Sequence, residues 1–181
     1  MLENAPTNGV RKVTFSPDGK WLVLGMDNGQ VFIWDFDSGR LSYSFQEHFG
    51  AISALCFSHN GRSFASGGLD HRAVIYDVGR RRVTARLDGH RLGVRALAFA
   101  PDDKTLVSTS WEGDIRFWSV ANHQVALTLA RAHDGGQVTS VAFSPKGNLM
   151  ATSGSDRTVR LWPAEKWEVS AGSKQAEVNR E

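Results

Sequence analysis

Four times along its 181 residues the chain writes the same short phrase. FSPDG at 15–19 returns as FSHNG at 57–61, FAPDD at 99–103 and FSPKG at 143–147, so the starts lie 42, 42 and 44 residues apart. A second marker keeps the same beat: Trp34-Asp35, Tyr76-Asp77, Trp118-Ser119 and Trp162-Pro163. Two markers in one phase define a structural unit laid down four times, and units of this size stack so that each buries its apolar faces on its neighbours.

Between the markers, apolar residues alternate or cluster in runs of five to seven, bounded by Gly, Asp, Asn and Pro. That is the grammar of strands and tight turns. The second unit gives ISALCFS, SFASGG, AVIYDV and VTARLD, joined by HNGR, LDHR and GRRR. The first gives VRKVTFS, WLVLGM, VFIWDF and LSYSFQ, and the third VRALAFA, TLVSTS, IRFWSV and VALTLA. In the fourth, VTSVAFS, LMATSG and VRLWPA are followed by a weaker fourth strand in KWEVSAG. No helix longer than a turn is expected.

Period, FSPDG-type turn, preceding His and terminal Trp-Asp occur in register, and in that combination the chain resembles a run of WD40 repeats over roughly residues 9–172. The resemblance implies an all-β fold in which each unit forms a four-stranded antiparallel blade of a β-propeller, used as a rigid platform for binding other proteins. The units fall at 9–48, 49–90, 91–134 and 135–172, between an N-terminal extension at 1–8 and a polar tail at 173–181. It also implies a hydrogen-bonded structural set in each blade: a His before the first strand, a Ser or Thr in the second, an Asp in the next turn and a Trp in the third. The last unit supplies His133, Thr152, Asp156 and Trp162. The second supplies His48, Ser66 and Asp70 with Tyr76 for Trp, and the third His90, Ser108 and Trp118 with Glu112 for Asp. The first has Leu24 and Asn28 at the hydroxyl and turn positions and no preceding His, although its DNG turn at 27–29 is a good hairpin former.

A His, a hydroxyl and a carboxylate also spell a hydrolase triad. A hydrolase, however, needs one activated nucleophile beside one oxyanion hole, whereas here the set recurs with the repeat. Buried His and Asp need partners, and this arrangement lets them satisfy one another. No catalytic residue is assigned, and the chain is not expected to be an enzyme.

Rings of this family usually hold seven or eight blades, and four units leave the outer faces of the first and last blades open. A few hundred Å² of apolar surface at about 25 cal/mol per Å² corresponds to roughly 10 kcal/mol, and patches of that size rarely stay bare. The expected architecture is a partial propeller, open or completed by a partner: a piece of a longer gene product, an arc closed by another chain, or two copies forming an eight-blade ring about a two-fold axis. A strained four-blade ring is the least favoured geometry.

In the family, the connections between strands four and one, and between strands two and three, share a face that often binds ligands. Phe49, Leu69, Arg72, Arg91 and Trp111 are the expected protein-binding residues there, with Asp27, His71, Leu92 and Arg157 around them. An exposed Trp flanked by Arg suits a protein partner, while a Trp packed onto the neighbouring blade is the competing reading. On the opposite face, Arg80, Arg81 and Arg82 with Arg86 form the dense basic cluster, a solvated hairpin tip or a contact for phosphates. No aromatic residues interleave it, which argues against single-stranded nucleic acid. A formal net charge of +2 adds no argument for a polyanion.

His71 beside Asp70 lacks a second pair of ligands, and GGLD at 67–70 opens no helix, so neither metal nor phosphate cofactor is implied. No apolar run approaches the roughly 20 residues of a membrane-spanning helix, and the N-terminal residues carry no secretory pattern. The single cysteine, Cys56, at an alternate position of ISALCFS, reads as a buried small side chain in a reducing compartment. The chain is expected in the cytoplasm, or the nucleus if the source is eukaryotic, as a non-catalytic protein-interaction scaffold. The alternative is a structural piece that completes a larger propeller or is appended to a catalytic domain such as a bacterial kinase. A third reading is nucleic-acid binding by the basic loop.

Overall fold

A computed structural model describes Pro6 and residues 9–164, all of it strand, turn and loop apart from a last helical-type turn residue at Ala164. The first sheet holds β1 (Val10–Phe15), β2 (Trp21–Met26), β3 (Gln30–Asp35) and β4 (Arg40–Gln46). The second holds β5 (Ile52–Phe57), β6 (Ser63–Gly68), β7 (Ala73–Asp77) and β8 (Arg82–Leu87). The third holds β9 (Val94–Phe99), β10 (Thr105–Ser110), β11 (Ile115–Ser119) and β12 (Val125–Leu129). The fourth shows β13 (Val138–Phe143), β14 (Leu149–Gly154) and β15 (Val159–Pro163); the expected strand in KWEVSAG lies outside the described residues, as do 1–5, 7–8 and the polar tail. Every pairing is antiparallel between strands consecutive in sequence, so each sheet is a meander.

The turns explain why the phrases repeat. After each first strand the chain must enter a left-handed conformation, and Gly19, Gly61 and Gly147 do so at φ of 74°, 68° and 71°. Glycine takes that region without the Cβ penalty other residues meet. The third unit places Asp103 there at φ 57°. Its carboxylate accepts the backbone N–H of His59 at 2.6 Å and of Asn60 at 2.8 Å, clasping the turn of the sheet before it.

Successive sheets pack face to face, mainly through their innermost strands, in the order first on second, second on third, third on fourth. Three buried clusters fill the gaps: one around Val23, Ile33, Ile52 and Phe64, one around Ile75, Val94, Leu106 and Trp118, and one around Phe117, Val138 and Met150. Each junction repeats one device, a β-branched residue at the start of a first strand pressed into the second strand of the preceding sheet. Ile52 fills the space a Cβ at Gly25 would need, and a Cβ at Gly67 would lie 2.5 Å from Val94 Cγ1. At the third junction Val138 meets Thr109, whose hydroxyl donates to the Val138 carbonyl at 3.0 Å. Ser53 likewise donates to the carbonyl of Val94. Such close seating leaves little room for added volume.

Among the described residues the array is an open part of a propeller, with no comparable packing between its first and fourth sheets. Its two outer faces both expose apolar side chains, in different places. On the first sheet Leu22, Leu24 and Trp34 are buried while Val10, Val13 and Phe15 of β1 and Leu41 of β4 stand open, whereas on the fourth sheet Val159 and Leu161 are exposed.

Candidate functional site

A buried polar relay in each of the last three sheets positions the loops on one face. In the fourth sheet Trp162 Nε1–H donates to Thr152 Oγ1 at 2.9 Å, and Thr152 Oγ1 lies 2.8 Å from His133 Nε2. His133 Nδ1 in turn lies 2.9 Å from Asp156 Oδ1. The relay is satisfied with every donor facing an acceptor when it runs in one direction: Trp N–H to hydroxyl, hydroxyl to Nε2, and Nδ1–H to carboxylate. The third sheet repeats it through Trp118, Ser108, His90 and Glu112 at 2.7, 2.7 and 3.0 Å, the longer glutamate arm reaching the same ring nitrogen. In the second sheet His48 bridges Ser66 at 2.9 Å and Asp70 at 2.9 Å, but Tyr76 differs from the expected replacement. Its ring is buried among Tyr43, Phe45 and Phe64, and its hydroxyl has no hydrogen-bond partner among the described residues, so this relay has three members.

The electrostatics follow the geometry. Burial alone would raise the carboxyls of Asp70, Glu112 and Asp156, yet the relay histidines and backbone N–H groups outweigh it, and all three sit below their usual range, Asp156 at about 2. Burial pushes His90 below the ordinary imidazole value against the pull of Glu112.

The carboxylates also pin the loops that carry the surface residues. Asp70 accepts the Phe49 backbone N–H at 3.0 Å, and Glu112 accepts that of Arg91 at 3.1 Å. Phe49 is therefore held outward with 86% of its surface exposed, and the Arg72 guanidinium sits 5.9 Å from its ring centre while pairing with Asp88 at 2.7 Å. Trp111 is 42% exposed rather than packed away, with Arg95 over its ring at 5.9 Å. Arg91 and Leu92 are exposed beside them, as are Asp27, His71 and Arg157 around the face. Leu69 is only half-buried surface: it wedges against Gly50 and Gly93, in the connections to the second and third sheets. Arg95 was not among the expected residues. Its signal was a charged side chain next to Val94, where the neighbouring units carry Ser53 and Thr139.

On the opposite face Arg80 and Arg81 are exposed in the β7–β8 turn and Arg82 at the start of β8, Arg80 with its N–H on Asp77 at 2.8 Å. Arg80 and Arg82 line an open cleft with Val83, Val120 and His123. Arg86 does not join them, because its Nε donates to Glu47 at 2.7 Å, at the other end of β8. Among the described residues no three His, Cys, Asp or Glu side chains gather to hold a metal ion, and no helix is long and apolar enough to cross a membrane.

Comparison with known proteins agrees with this architecture. The chain is 28% identical to periodic tryptophan protein 2 of Arabidopsis thaliana, over 84% of its own length and 22% of that protein's. It is 28% identical to a guanine nucleotide-binding protein subunit beta of Zea mays, over 84% of its length and 43% of the relative's. It is 30% identical to protein hir-1 of Neurospora crassa, over 81% of its length and 17% of the relative's. The chain thus spans less than half the length of each of these relatives. The repeat profile described as WD domain, G-beta repeat matches at residues 2–35, 39–77, 81–119 and 124–163, and with four matches in one phase the chain belongs to the WD40-repeat family.

Proposed function

We propose that this chain is a non-catalytic protein-interaction scaffold that engages its partner on the loop face of the second and third blades, through Phe49, Arg72, Arg91, Arg95 and Trp111. One observation carries the reading: two exposed aromatic rings on neighbouring blades each lie beside a guanidinium, Phe49 with its backbone N–H held by Asp70 and Trp111 next to Glu112, whose carboxylate holds the Arg91 backbone. Aromatic and arginine side chains supply most of the energy at protein interfaces, and a loop ordered beforehand loses little entropy on docking. The chemistry suits a segment that offers an apolar side chain to the rings and carboxylates to Arg91 and Arg95. A relative is by name a subunit, and this chain is read in the same way as one member of an assembly. Leu69 serves this face as a wedge that sets the spacing of the two loops.

The relays hold shape in this reading. Each hydroxyl is buried under a tryptophan or beside an aromatic cluster, and the same arrangement recurs in three blades, which does not suit a single reacting centre. The units at 9–48, 49–90, 91–134 and 135–172 act as one rigid frame in the cytoplasm or nucleus.

The test compares Trp111→Ala and Phe49→Ala with the parent chain in capture from an extract, followed by melting. Loss of a captured protein at unchanged melting temperature supports the assignment. If Trp111→Ala lowers the melting temperature as strongly as Asp156→Ala does, the residue is part of the frame and the face assignment fails. Replacing Arg80, Arg81 and Arg82 by Ala tests the basic loop separately, through any salt-sensitive binding of nucleic acid that disappears with them.

A further inference from the structure

The fourth sheet repeats, on its outer face, the surface that the other three sheets use to receive a neighbour. Val159 and Leu161 of β15 occupy the positions of Ile115 and Phe117, Ala73 and Ile75, and Val31 and Ile33, as the strand registers show. In the first three sheets these positions are between 0% and 2% exposed, whereas Val159 is 70% and Leu161 61% exposed. The receiving hydroxyls are repeated too. Ser153 stands where Thr109 donates to Val138, and Thr139 stands two sheets beyond Ser53, which donates to Val94, at the same position of its first strand. In the fourth sheet these two side chains lie 2.9 Å apart and meet each other instead.

The complementary surface is on the same chain. Val10 pairs with Met26 at the position where Ile52, Val94 and Val138 pair with Gly68, Ser110 and Gly154. Those three are fully buried as inserted knobs, and Val10 is 45% exposed. Val13 and Phe15, the counterparts of the buried Leu97 and Phe99, are also exposed on β1. Because innermost strands dominate all three internal junctions, open β1 is the part of the first sheet that such a contact needs.

We propose that the outer face of the fourth sheet receives β1 of a second copy of this chain, head to tail. Val10 of the copy seats at Ser153, the Thr139 and Ser153 hydroxyls take its carbonyl, and Val159 and Leu161 are covered by Val13 and Phe15. A second copy is favoured over an unrelated partner because knob and socket both occur here in the phase used three times within the chain. Two such junctions related by a two-fold axis close eight sheets into a ring without open faces. This interface is separate from the loop face and would leave Phe49 and Trp111 free.

Mixing two single variants, Val10→Cys and Ser153→Cys, under mild oxidation tests the contact directly. At two internal junctions a Cβ at the corresponding glycine would stand 2.8 Å from Ile52 Cβ (Gly25) and 3.1 Å from Val94 Cβ (Gly67), so the equivalent pair lies within disulfide reach. Cys56 does not compete, since burial pushes its thiol up to about 12. The expected result is a covalent pair that forms in the mixture and not in either variant alone, together with a solution mass of twice 19.9 kDa for the parent chain. Leu161→Asp is expected to raise the concentration of half-dissociation by about 100-fold or more, as a charge buried without a partner requires. A parent chain that stays at 19.9 kDa with no cross-link in the mixture overturns the proposal. So does an internal disulfide at monomer mass in the double variant, or equal linking of Val10→Cys with itself. If Leu161→Asp fails to fold, the mixture of single variants still decides.

Discussion

The relays make an uneven demand on two serines that look alike in the sequence. Ser108 is fully buried and serves two buried partners, accepting from Trp118 Nε1–H and donating to His90 Nε2, both at 2.7 Å. Ser66 is equally buried but serves only His48, at 2.9 Å, because the Tyr76 hydroxyl has no partner. A buried polar group left unpaired costs about 1–3 kcal/mol, so Ser108→Ala, which strands two, should cost about 3 kcal/mol and Ser66→Ala about half of that. At about 2–4 °C per kcal/mol for a chain of this size, the melting temperature should fall by about 6–12 °C in the first variant and about 3–6 °C in the second. Calorimetry on the two variants and the parent measures both. Equal losses, or a larger loss for Ser66→Ala, would show that the tryptophan bond contributes nothing and that the relay is not the unit of stabilisation.

Tyr76→Phe removes a buried hydroxyl that has no hydrogen-bond partner among the described residues, so it should leave stability unchanged or raise it by about 1 kcal/mol in denaturant unfolding; a clear loss contradicts the packing. Acid should weaken the fold in two stages. His90 is depressed, so the stability it contributes is complete above its unfolded value near 6.5 and falls as pH drops below that. Asp70, Glu112 and Asp156 are also depressed, so their contribution is complete above about pH 4.5 and is lost toward about 2, where Asp156 titrates. A melting temperature that rises between pH 7 and pH 3 is the contrary outcome. Gly67→Ala places a Cβ 2.5 Å from Val94 Cγ1 and should cost about 1–3 kcal/mol, read as a lowered denaturation midpoint. Arg80→Ala, Arg81→Ala and Arg82→Ala together should move stability by no more than about 0.5 kcal/mol, since all three are exposed in or next to a turn.

Most of the architecture was legible because one period repeats. The strands fall where FSPDG-type turns and Trp-Asp endings bracket apolar runs, and the His, hydroxyl and carboxylate come together because hairpins hold residues 18 to 23 apart in sequence against one another. What the pattern could not convey depended on side-chain reach. Tyr76 occupies the tryptophan position, but its ring packs among Tyr43, Phe45 and Phe64 and its hydroxyl makes no hydrogen bond to Ser66. Arg86, near Arg82 in sequence, answers instead to Glu47 across the sheet. Asp103 stands where the other units have glycine, and nothing local in FAPDD signals that its carboxylate clasps the turn at His59 and Asn60. On the loop face Phe49 and Trp111 were readable as exposed aromatics, whereas the pairing of each with a particular arginine depends on loop directions that no local pattern records.

Pairing only strands adjacent in sequence has a consequence for synthesis. As the chain leaves the ribosome, each meander can complete its hydrogen bonds before the next unit exists, so register never waits for a distant segment. Its side-chain faces do wait. With starts 42 residues apart and translation at about 5–20 residues per second, each new sheet stands with one apolar side uncovered for about 2–8 s. During that interval nascent chains on neighbouring ribosomes present one another with the same knobs and sockets, and the order of emergence decides whether a sheet first meets its own successor.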